Sequence, residues 1–163
     1  MHIAYIGLGS NLGLPETQIR QAINAIENIH SIQITATSSL YYSRPMGPQD
    51  QPDYMNAVVK LSTSLSPLEL LDALQAIELE AGRVRKDERW GARTLDLDIL
   101  LYDDLVLESE RLTIPHYGMK EREFVLLPLA EISPQLVLPD QSEISKLADN
   151  IPTNGLKIHS QLR

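Results

Sequence analysis

The sequence predicts an α+β fold in which helices pack on one face of an antiparallel sheet. Two observations support this fold class. Four segments rich in β-branched and aromatic residues are typical of strands, and two segments between them carry apolar residues at helical spacing. Their order along the chain is β-α-β-β-α-β, the ferredoxin-like arrangement. Because this fold hosts many unrelated functions, it does not decide the activity.

The N-terminal segment supplies the first strand, the first helix and the second strand. Residues 2–8 are predicted as a strand, and Pro15 suits the first turn of a helix. The three glycines of residues 7–13 miss the spacing of a dinucleotide fingerprint, and no Walker lysine follows them. We therefore assign them to tight turns. Residues 32–42 form the second predicted strand.

A long loop precedes the third strand and the second helix. Three prolines and a glycine within residues 43–53 cannot continue a sheet. Residues 54–63 are then predicted as a strand, and Ser66 begins a capping box with Pro67 at the first helical position. This helix should end at Gly82 and bury Leu70, Ala73, Leu74, Ile77 and Ala81.

The C-terminal part begins with the fourth predicted strand, residues 95–102. Pro128 is expected to break or kink a helix that follows. The remaining predictions are a hairpin, that helix, a short helix and a loosely held tail, at residues 105–116, 120–132, 143–149 and from 151 onward.

Length, charge and cysteine content restrict the class of protein. The 163 residues predict a single domain over residues 1–163. Residues 83–93 hold five cations against two acidic residues, a charge of +3, so the rest must carry −11 to give the net −8. An acidic body with one basic segment favours a small polyanionic ligand over nucleic acid or a membrane surface. With no cysteine, no signal peptide and no apolar span, we expect a cytoplasmic protein.

Two aspartates at the start of the fourth strand are candidate metal ligands. Because strand side chains alternate, Asp96 and Asp98 should point to one face while Leu95, Leu97, Ile99 and Leu101 point to the core. Two like charges roughly 7 Å apart need a counter-charge. Carboxylate oxygens suit Mg²⁺, which usually binds one or two of them together with substrate phosphates.

The basic segment of residues 83–93 leads directly into these aspartates. Arginine side chains match phosphate oxygens bidentately, so the two groups together indicate phosphoryl-transfer chemistry. The alternative is a charged loop whose arginines form ordinary ion pairs with the two aspartates.

Four stretches of the chain resemble a known family in order and spacing. They are GSNLG (9–13), GPQDQPDYMN (47–56), RVRKDERWGARTLDLDIL (83–100) and RLTIPHYGMKEREFVLLPLAEISP (111–134). The family is the 6-hydroxymethyl-7,8-dihydropterin pyrophosphokinases of folate biosynthesis. The resemblance implies transfer of the β,γ-pyrophosphoryl group of ATP to the hydroxymethyl group of the pterin, with release of AMP. It also implies a Mg²⁺ requirement, with two ions expected, and a monomer whose partners are small-molecule substrates.

The resemblance implies roles for individual residues. Asp96 and Asp98 match the metal-binding carboxylates, and Arg83 and Arg93 match the arginines that close over the phosphates. The triphosphate path and the nucleotide surroundings are matched by His116, Tyr117, Arg122, Gln75, Glu78, Arg85, Arg89, Trp90, Ile99, Arg111 and Thr113. We assign His116 to phosphate binding rather than proton abstraction.

The pterin is expected between Tyr54 and Phe124, with Asn56 reading its polar edge together with the backbone of Ser43, Pro45 and Met46. The chain departs from the family here, because Ser43-Arg44-Pro45 replaces an apolar triplet, and no role for Arg44 is implied.

Two other function classes remain open at this stage. A basic loop with Trp90 on a ferredoxin-like sheet could stack the bases of RNA, although the acidic remainder of the chain opposes this. A non-catalytic ligand sensor would bind ATP without forming a product.

Overall fold

The computed structural model describes residues 1–11, 14–43, 54–82 and 95–162. The strands are β1 His2–Ser10, β2 Ile32–Thr37, β3 Ser39–Ser43, β4 Tyr54–Thr63, β5 Asp96–Tyr102, β6 Leu107–Glu108, β7 Thr113–Ile114 and β8 Lys157–Gln161. The helices are α1 Pro15–Glu27, α2 Pro67–Glu80, a 3-10 helix at Met119–Glu121, α3 Glu123–Ile132 and α4 Ile144–Asn150.

Six strands form one antiparallel sheet. Their order is β5-β1-β4-β3-β8, and β2 also pairs with β4. The strands β6 and β7 form the predicted hairpin. With α1 after β1 and α2 after β4, the predicted ferredoxin-like α+β fold is confirmed.

The second predicted strand, residues 32–42, is in fact two strands separated by Ser38. The Ser38 amide donates to the carbonyl of Val58 at 2.9 Å, and the Val58 amide donates to Ser38 Oγ at 2.9 Å. The serine side chain thus replaces a backbone acceptor, which lets β2 and β3 both pair with β4 around an irregular residue.

Helices cover both faces of the sheet, whereas the sequence predicted helices on one face. One cluster of buried side chains joins α1 and α2 to the face that carries Ile6 and Leu61. A second cluster joins α3 and α4 to the opposite face, which carries Tyr5 and Val58. We call these the α1/α2 face and the α3 face.

The predicted alternation of side chains along β5 is wrong beyond Ile99, because the strand contains a bulge there. Ile99 pairs with Ile6 but Leu101 pairs with Tyr5, so Leu100 is an extra residue between them. Leu97 and Ile99 are buried on the α1/α2 face as predicted, whereas Leu101 is buried with Leu100 on the α3 face.

Helix α2 begins with the predicted capping box between Ser66 and Glu69 and is followed by Gly82 at φ 94°. The helix buries Leu70 and Leu74 as predicted, but Ala73, Ile77 and Ala81 are only half-buried, and Leu71 and Glu78 are buried in their place. The sheet therefore contacts a slightly rotated side of the helix.

Three predictions about irregular segments differ from the structure. Gly7 and Gly9 lie inside β1 rather than in a tight turn. Pro128 lies inside α3, which continues to Ile132, so of the two expected effects the break is wrong. The predicted loose tail contains β8, which pairs with β3 as an edge strand. Arg20 on α1 fixes this strand by donating to the carbonyl of Gln161 at 3.2 Å.

Candidate active site

One row of paired residues crosses four strands at the end of the sheet where β5 begins. Asp96 pairs with Gly9, Gly9 pairs with Asn56, and Asn56 pairs with Tyr41. Directly paired residues of antiparallel strands point to the same face. The Asp96 carboxylate and the Asn56 carboxamide therefore project on the α3 face, on either side of Gly9.

Asp98 is the next residue of β5 on this face, opposite Gly7. Its side chain is 50 % exposed, while Asp96 is partly buried. The two carboxylates thus emerge from one strand toward solvent, as the alternation of the sequence predicted.

His116 lies beside Asp98 and is held there by the backbone. Its amide donates to the carbonyl of Leu100 at 3.0 Å, and the amide of Gly118 donates to His116 Nδ1 at 3.2 Å. Since Nδ1 accepts this bond, the ring proton is on Nε2, which lies 3.9 Å from Asp98 Oδ2. The side chain is only 14 % exposed.

The surroundings of His116 keep its ring neutral. Burial lowers the pKa of His116 below its usual value; the Asp98 carboxylate raises this pKa, and the Arg122 guanidinium lowers it. The net shift is downward, so near neutral pH His116 presents an Nε2–H donor. This state agrees with its predicted role as a binding residue.

Arg122 connects His116 to the aromatic side of the site. Its guanidinium carbon lies 5.8 Å from the ring centroid of Tyr117 and 5.8 Å from that of Phe124. Tyr117 is exposed and stacks on His116 with 4.8 Å between the ring centroids. A cation, two aromatic rings and a neutral imidazole thus form one connected group, which meets Asp98 through His116.

Of the predicted pterin residues, Asn56 lies on the row, and Ser43 and Tyr54 lie beside it on β3 and β4. Asn56 is buried, and its Nδ2 donates to Ser43 Oγ at 2.8 Å, which fixes the orientation of the carboxamide. Ser43 pairs with Tyr54 between β3 and β4. Phe124 is half-buried and packs against the apolar cluster of the α3 face.

Glu78 occupies an unexpected position for a nucleotide-contacting residue. The side chain is buried on α2, and its Oε2 accepts a hydrogen bond from the Leu97 amide at 2.7 Å. Leu97 is the residue between Asp96 and Asp98, so Glu78 fixes the segment of β5 that carries both carboxylates.

A separate polar cluster joins α2 to the β6–β7 hairpin. Arg111 Nη2 donates to Asp72 Oδ1 at 2.5 Å and to Gln75 Oε1 at 3.2 Å. Thr113 is half-buried in β7, whereas the Ile99 side chain is buried in the α1/α2 cluster. Gln75 and Arg111 are thus in contact, but the side chain of Ile99 is not part of this exposed cluster.

Sequence reasoning missed Asp72 and the backbone role of Glu78. Asp72 is three residues before Gln75 on α2, a spacing that places both on one exposed helix surface and could have indicated it. The bond from Leu97 to Glu78 has no sequence signal, because it depends on how α2 packs against β5.

Several predicted site residues lie outside the described residues. They are Pro45, Met46, Arg83, Arg85, Arg89, Trp90 and Arg93.

The carboxylate pair fits Mg²⁺ better than a metal that needs a full protein cage. Within residues 1–11, 14–43, 54–82 and 95–162, no group of three or more His, Cys, Asp or Glu side chains could hold a metal ion. Mg²⁺ keeps several waters and commonly binds one or two carboxylates together with substrate phosphates. Asp96 and Asp98 provide that donor set.

Across the part of the chain that the structure describes, none of the helices has both the length and the apolar character needed to span a bilayer.

The chain is similar to proteins of one family. Residues 5–134 match the family described as 7,8-dihydro-6-hydroxymethylpterin-pyrophosphokinase (HPPK). The chain is 58 % identical over 147 residues to a 2-amino-4-hydroxy-6-hydroxymethyldihydropteridine pyrophosphokinase of Haemophilus influenzae, covering 90 % of this chain and 91 % of that protein. It is 52 % identical over 153 residues to the protein of the same name from Pseudomonas aeruginosa, covering 94 % of each.

A solved structure shows the same fold. The wild-type HPPK-DHPS of Plasmodium falciparum with pteroate superposes with a TM-score of 0.72 at 16 % identity, covering 91 % of this chain and 42 % of that one. The chain therefore spans less than half of that protein, and at this identity the likeness supports the fold alone. The family match and the two bacterial relatives decide the classification: the chain belongs to the 7,8-dihydro-6-hydroxymethylpterin-pyrophosphokinase family.

Proposed function

We propose that the chain transfers the pyrophosphoryl group of ATP to the hydroxymethyl group of 6-hydroxymethyl-7,8-dihydropterin and releases AMP, a step of folate biosynthesis. The family match over residues 5–134 carries this proposal. The bond that forms joins the hydroxymethyl oxygen to the β-phosphorus, and the bond that breaks joins the β-phosphorus to the oxygen shared with the α-phosphate. The hydroxyl proton leaves to solvent.

The pterin end of the site is formed by β3, β4 and the start of α3. Tyr54 and Phe124 would hold the flat ring between them, since aromatic side chains favour stacked contacts with such rings. The Asn56 carboxamide, fixed by its bond to Ser43, would read the polar edge of the ring. The backbone of Pro45 and Met46 is assigned the remaining polar contacts by the resemblance alone.

The phosphate end is formed by His116, Tyr117 and Arg122. The neutral His116 ring would donate its Nε2–H to a phosphate oxygen, and the Arg122 fork would bind phosphate oxygens bidentately. Its contacts with Tyr117 and Phe124 hold the Arg122 guanidinium between the two substrate positions. Preorganised donors of this kind stabilise the charge that develops during transfer.

Five further groups of residues complete the proposed nucleotide site. Glu78 would act through the β5 backbone, and Gln75, Arg111 and Thr113 would surround the nucleoside. Ile99 would contribute through its backbone, because its side chain is buried. Arg85, Arg89 and Trp90 are assigned to the nucleotide, and Arg83 and Arg93 to the phosphates, by the resemblance.

Asp96 and Asp98 are the proposed ligands of Mg²⁺, with two ions in the complete complex. Bound there, Mg²⁺ would neutralise phosphate charge and increase the acidity of the attacking hydroxyl. Both carboxylates would hold the ion in a fixed position, because both lie on β5. The hydrogen bond from the Leu97 amide to Glu78 fixes the backbone of this strand between them.

The nucleotide product tests the proposed reaction directly. Purified protein with ATP, Mg²⁺ and the hydroxymethyl dihydropterin should form AMP and a pyrophosphorylated pterin in equal amounts. ADP as the product would contradict pyrophosphoryl transfer. Tight ATP binding without any product would instead favour the non-catalytic sensor.

The chain is further proposed to act as a cytoplasmic monomer on small-molecule substrates, without nucleic acid or a membrane as a partner. Its charge of −8 supports this choice, because an acidic protein repels both polyanions. Light scattering in solution should give the mass of one chain, and single-stranded RNA should cause no salt-sensitive shift.

A further inference from the structure

Gly9 occupies the centre of the row between the two ends of the site. Its partners across the sheet are Asn56 on β4 and Asp96 on β5. A β-carbon added at Gly9 would lie 3.3 Å from Asn56 Oδ1, 3.9 Å from the Met55 carbonyl oxygen and 4.0 Å from Tyr54 Cδ1. A β-carbon would thus press on the Asn56 carboxamide and come into ordinary contact with Met55 and Tyr54. We call the space that glycine leaves beside these residues of the proposed pterin site the gap.

The backbone does not require glycine at this position. Among the glycines that the structure describes, positive φ occurs at Gly82 and Gly155, whereas Gly9 lies in the regular pairing of β1. Alanine would fit the strand conformation, so the physical reason for glycine here is what approaches residue 9 from the side of its missing β-carbon, with Asn56 Oδ1 the nearest atom.

The gap lies between the two residues that are proposed to hold opposite ends of a bicyclic ring. Directly paired residues of antiparallel strands are about 5 Å apart, so Asn56 and Asp96 are separated by about two such steps. If Asn56 reads the polar edge of the pterin and Asp96 lies at the reacting hydroxymethyl group, the second ring must pass over Gly9. A side chain there would occupy that path.

We propose that Gly9 is a specificity-determining residue, whose missing side chain leaves room for the pyrazine ring of the pterin between Asn56 and Asp96. This inference rests on the proposed function and deepens it. It predicts that Gly9 affects pterin binding without affecting ATP binding.

Gly7 provides a matched control on the same strand and the same face. A β-carbon at Gly7 would lie 3.4 Å from Leu100 Cδ2 and 3.6 Å from Leu100 Cδ1, an ordinary apolar contact. Gly7→Ala and Gly9→Ala therefore add the same methyl group, one against a core leucine and one into the proposed pterin gap.

Steady-state kinetics of the two variants test the inference. Gly9→Ala should raise the KM for the pterin at least about tenfold, since overfilled sites lose comparable affinity, and leave the KM for ATP within about twofold. Gly7→Ala should change neither value. A pterin KM that stays within about twofold in Gly9→Ala would overturn the inference. So would an equal loss for pterin and ATP, or a lowered Tm in Gly9→Ala alone, because either would assign Gly9 to folding.

A double-mutant cycle with Asn56→Ala separates filling of the gap from displacement of the amide. The probe is the hydroxymethyl dihydropterin, titrated by its fluorescence in the presence of a non-hydrolysable ATP analogue. If the methyl group fills the ring position, Gly9→Ala should still weaken pterin binding at least about threefold in the Asn56→Ala background. No effect in that background would show that Gly9→Ala acts only through Asn56 and would contradict the inference.

Measurements on the wild-type protein distinguish a failure of the proposed function from a failure of the proposed role of Gly9. If it forms no AMP and binds no pterin, the proposed function fails and Gly9 has no ring to accommodate. If it is active and Gly9→Ala is as active at low pterin concentration, only the role of Gly9 is wrong.

Discussion

The environment of Asp98 links the proposed metal end of the site to its proposed phosphate end. Its carboxylate is half-exposed on β5 and faces the protonated nitrogen of a neutral His116. Because His116 is uncharged, this contact does not neutralise the Asp98 carboxylate. A carboxylate held in this way is suited to Mg²⁺ and adds little to stability.

Asp98→Asn should therefore reduce Mg²⁺-dependent turnover at least about 100-fold while leaving the fold intact, since metal charge supplies several kcal/mol of transition-state stabilisation. The measurement is kcat over a Mg²⁺ titration, with Tm as the test of folding. Asp104→Asn, an equal charge change in the exposed turn after β5, is the control and should retain activity. Retention of most activity in Asp98→Asn would remove this residue from the metal site.

Glu78 supports the strand that carries the two aspartates. Its buried carboxylate accepts a hydrogen bond from the backbone amide of Leu97, which lies between them. Glu78→Gln keeps an acceptor oxygen, whereas Glu78→Leu leaves the Leu97 amide without this partner. We expect Glu78→Leu to lower the free energy of unfolding by about 1–3 kcal/mol more than Glu78→Gln does. Urea denaturation measures this difference, and equal losses in the two variants would show that the bond to Leu97 is not what matters.

At the scale of elements, α3 is tied to the sheet by Glu131. Its Oε1 accepts from the Ser39 amide at 2.9 Å and from the Tyr41 hydroxyl at 2.8 Å, and its Oε2 accepts from Ser39 Oγ at 2.8 Å. Burial and the neighbouring Glu131 carboxylate both raise the pKa of Tyr41. The carboxylate therefore fixes α3, which carries Phe124, on the strand that ends at Ser43.

Glu131→Ala should lower the free energy of unfolding by about 1–3 kcal/mol, because it leaves polar groups of β3 without their partner. Chemical denaturation measures the loss. Glu110→Ala, in the exposed turn of the hairpin, is the control and should change the value by less than about 0.5 kcal/mol. If Glu131→Ala lowers the free energy of unfolding as little as the control does, the hydrogen bonds of Glu131 do not hold α3 on the sheet.

The 3-10 helix before α3 is held by an ion pair whose contribution to stability depends on pH. Lys120 forms an ion pair with Asp140, and the Ser142 amide donates to Asp140 Oδ1 at 2.9 Å. The hydrogen bond from Lys120, together with those from Ser142, lowers the pKa of Asp140 to about 2. Since this is below the value near 4 of an unfolded chain, the pair stabilises the fold above about pH 4.

That contribution should be lost as the pH falls from about 4 to about 2. Asp140→Asn should cost no more than about 1 kcal/mol at pH 7, since the pair is exposed, and clearly less at pH 2, where the carboxyl is about half protonated. Urea denaturation of both proteins across this range measures the difference. A difference that does not decrease on acidification would contradict the assigned pKa shift.

In the molecule as a whole, the two faces of the sheet differ in composition and in their proposed role. The α1/α2 face is filled by an apolar core, while the α3 face is apolar near α3 and polar along the row from Asp96 to Asn56. The ends of β1 and β3 and the starts of β4 and β5 meet there. Four strands thus bring residues that are far apart in sequence to one edge.

The main elements were predictable because each has a local signal. A proline in the first turn and helical spacing mark α1 and α2, α2 also has a capping box, and β-branched composition marks β1 and β4. The bulge at Leu100 and the irregular residue Ser38 were not predictable, because both arise from pairing with neighbouring strands. Strand β8 was missed because its short, mostly exposed sequence has no apolar period, and backbone pairing with β3 forms it.

The site was predictable where one motif carries it and less so where the fold assembles it. Asp96 and Asp98 follow from alternation within one strand, and the resemblance supplied His116, Arg122 and Asn56. The proton position on His116 depends on the Gly118 amide, and the role of Glu78 depends on helix packing. Neither contact is visible in a linear sequence.

The most direct test of the central claim is a crystal structure with a non-hydrolysable ATP analogue, Mg²⁺ and the hydroxymethyl dihydropterin. We expect oxygen atoms of both Asp96 and Asp98 at about 2.1 Å from Mg²⁺, with the phosphates completing the coordination. Carboxylates that face away from the nucleotide, or that pair only with protein side chains, would contradict it.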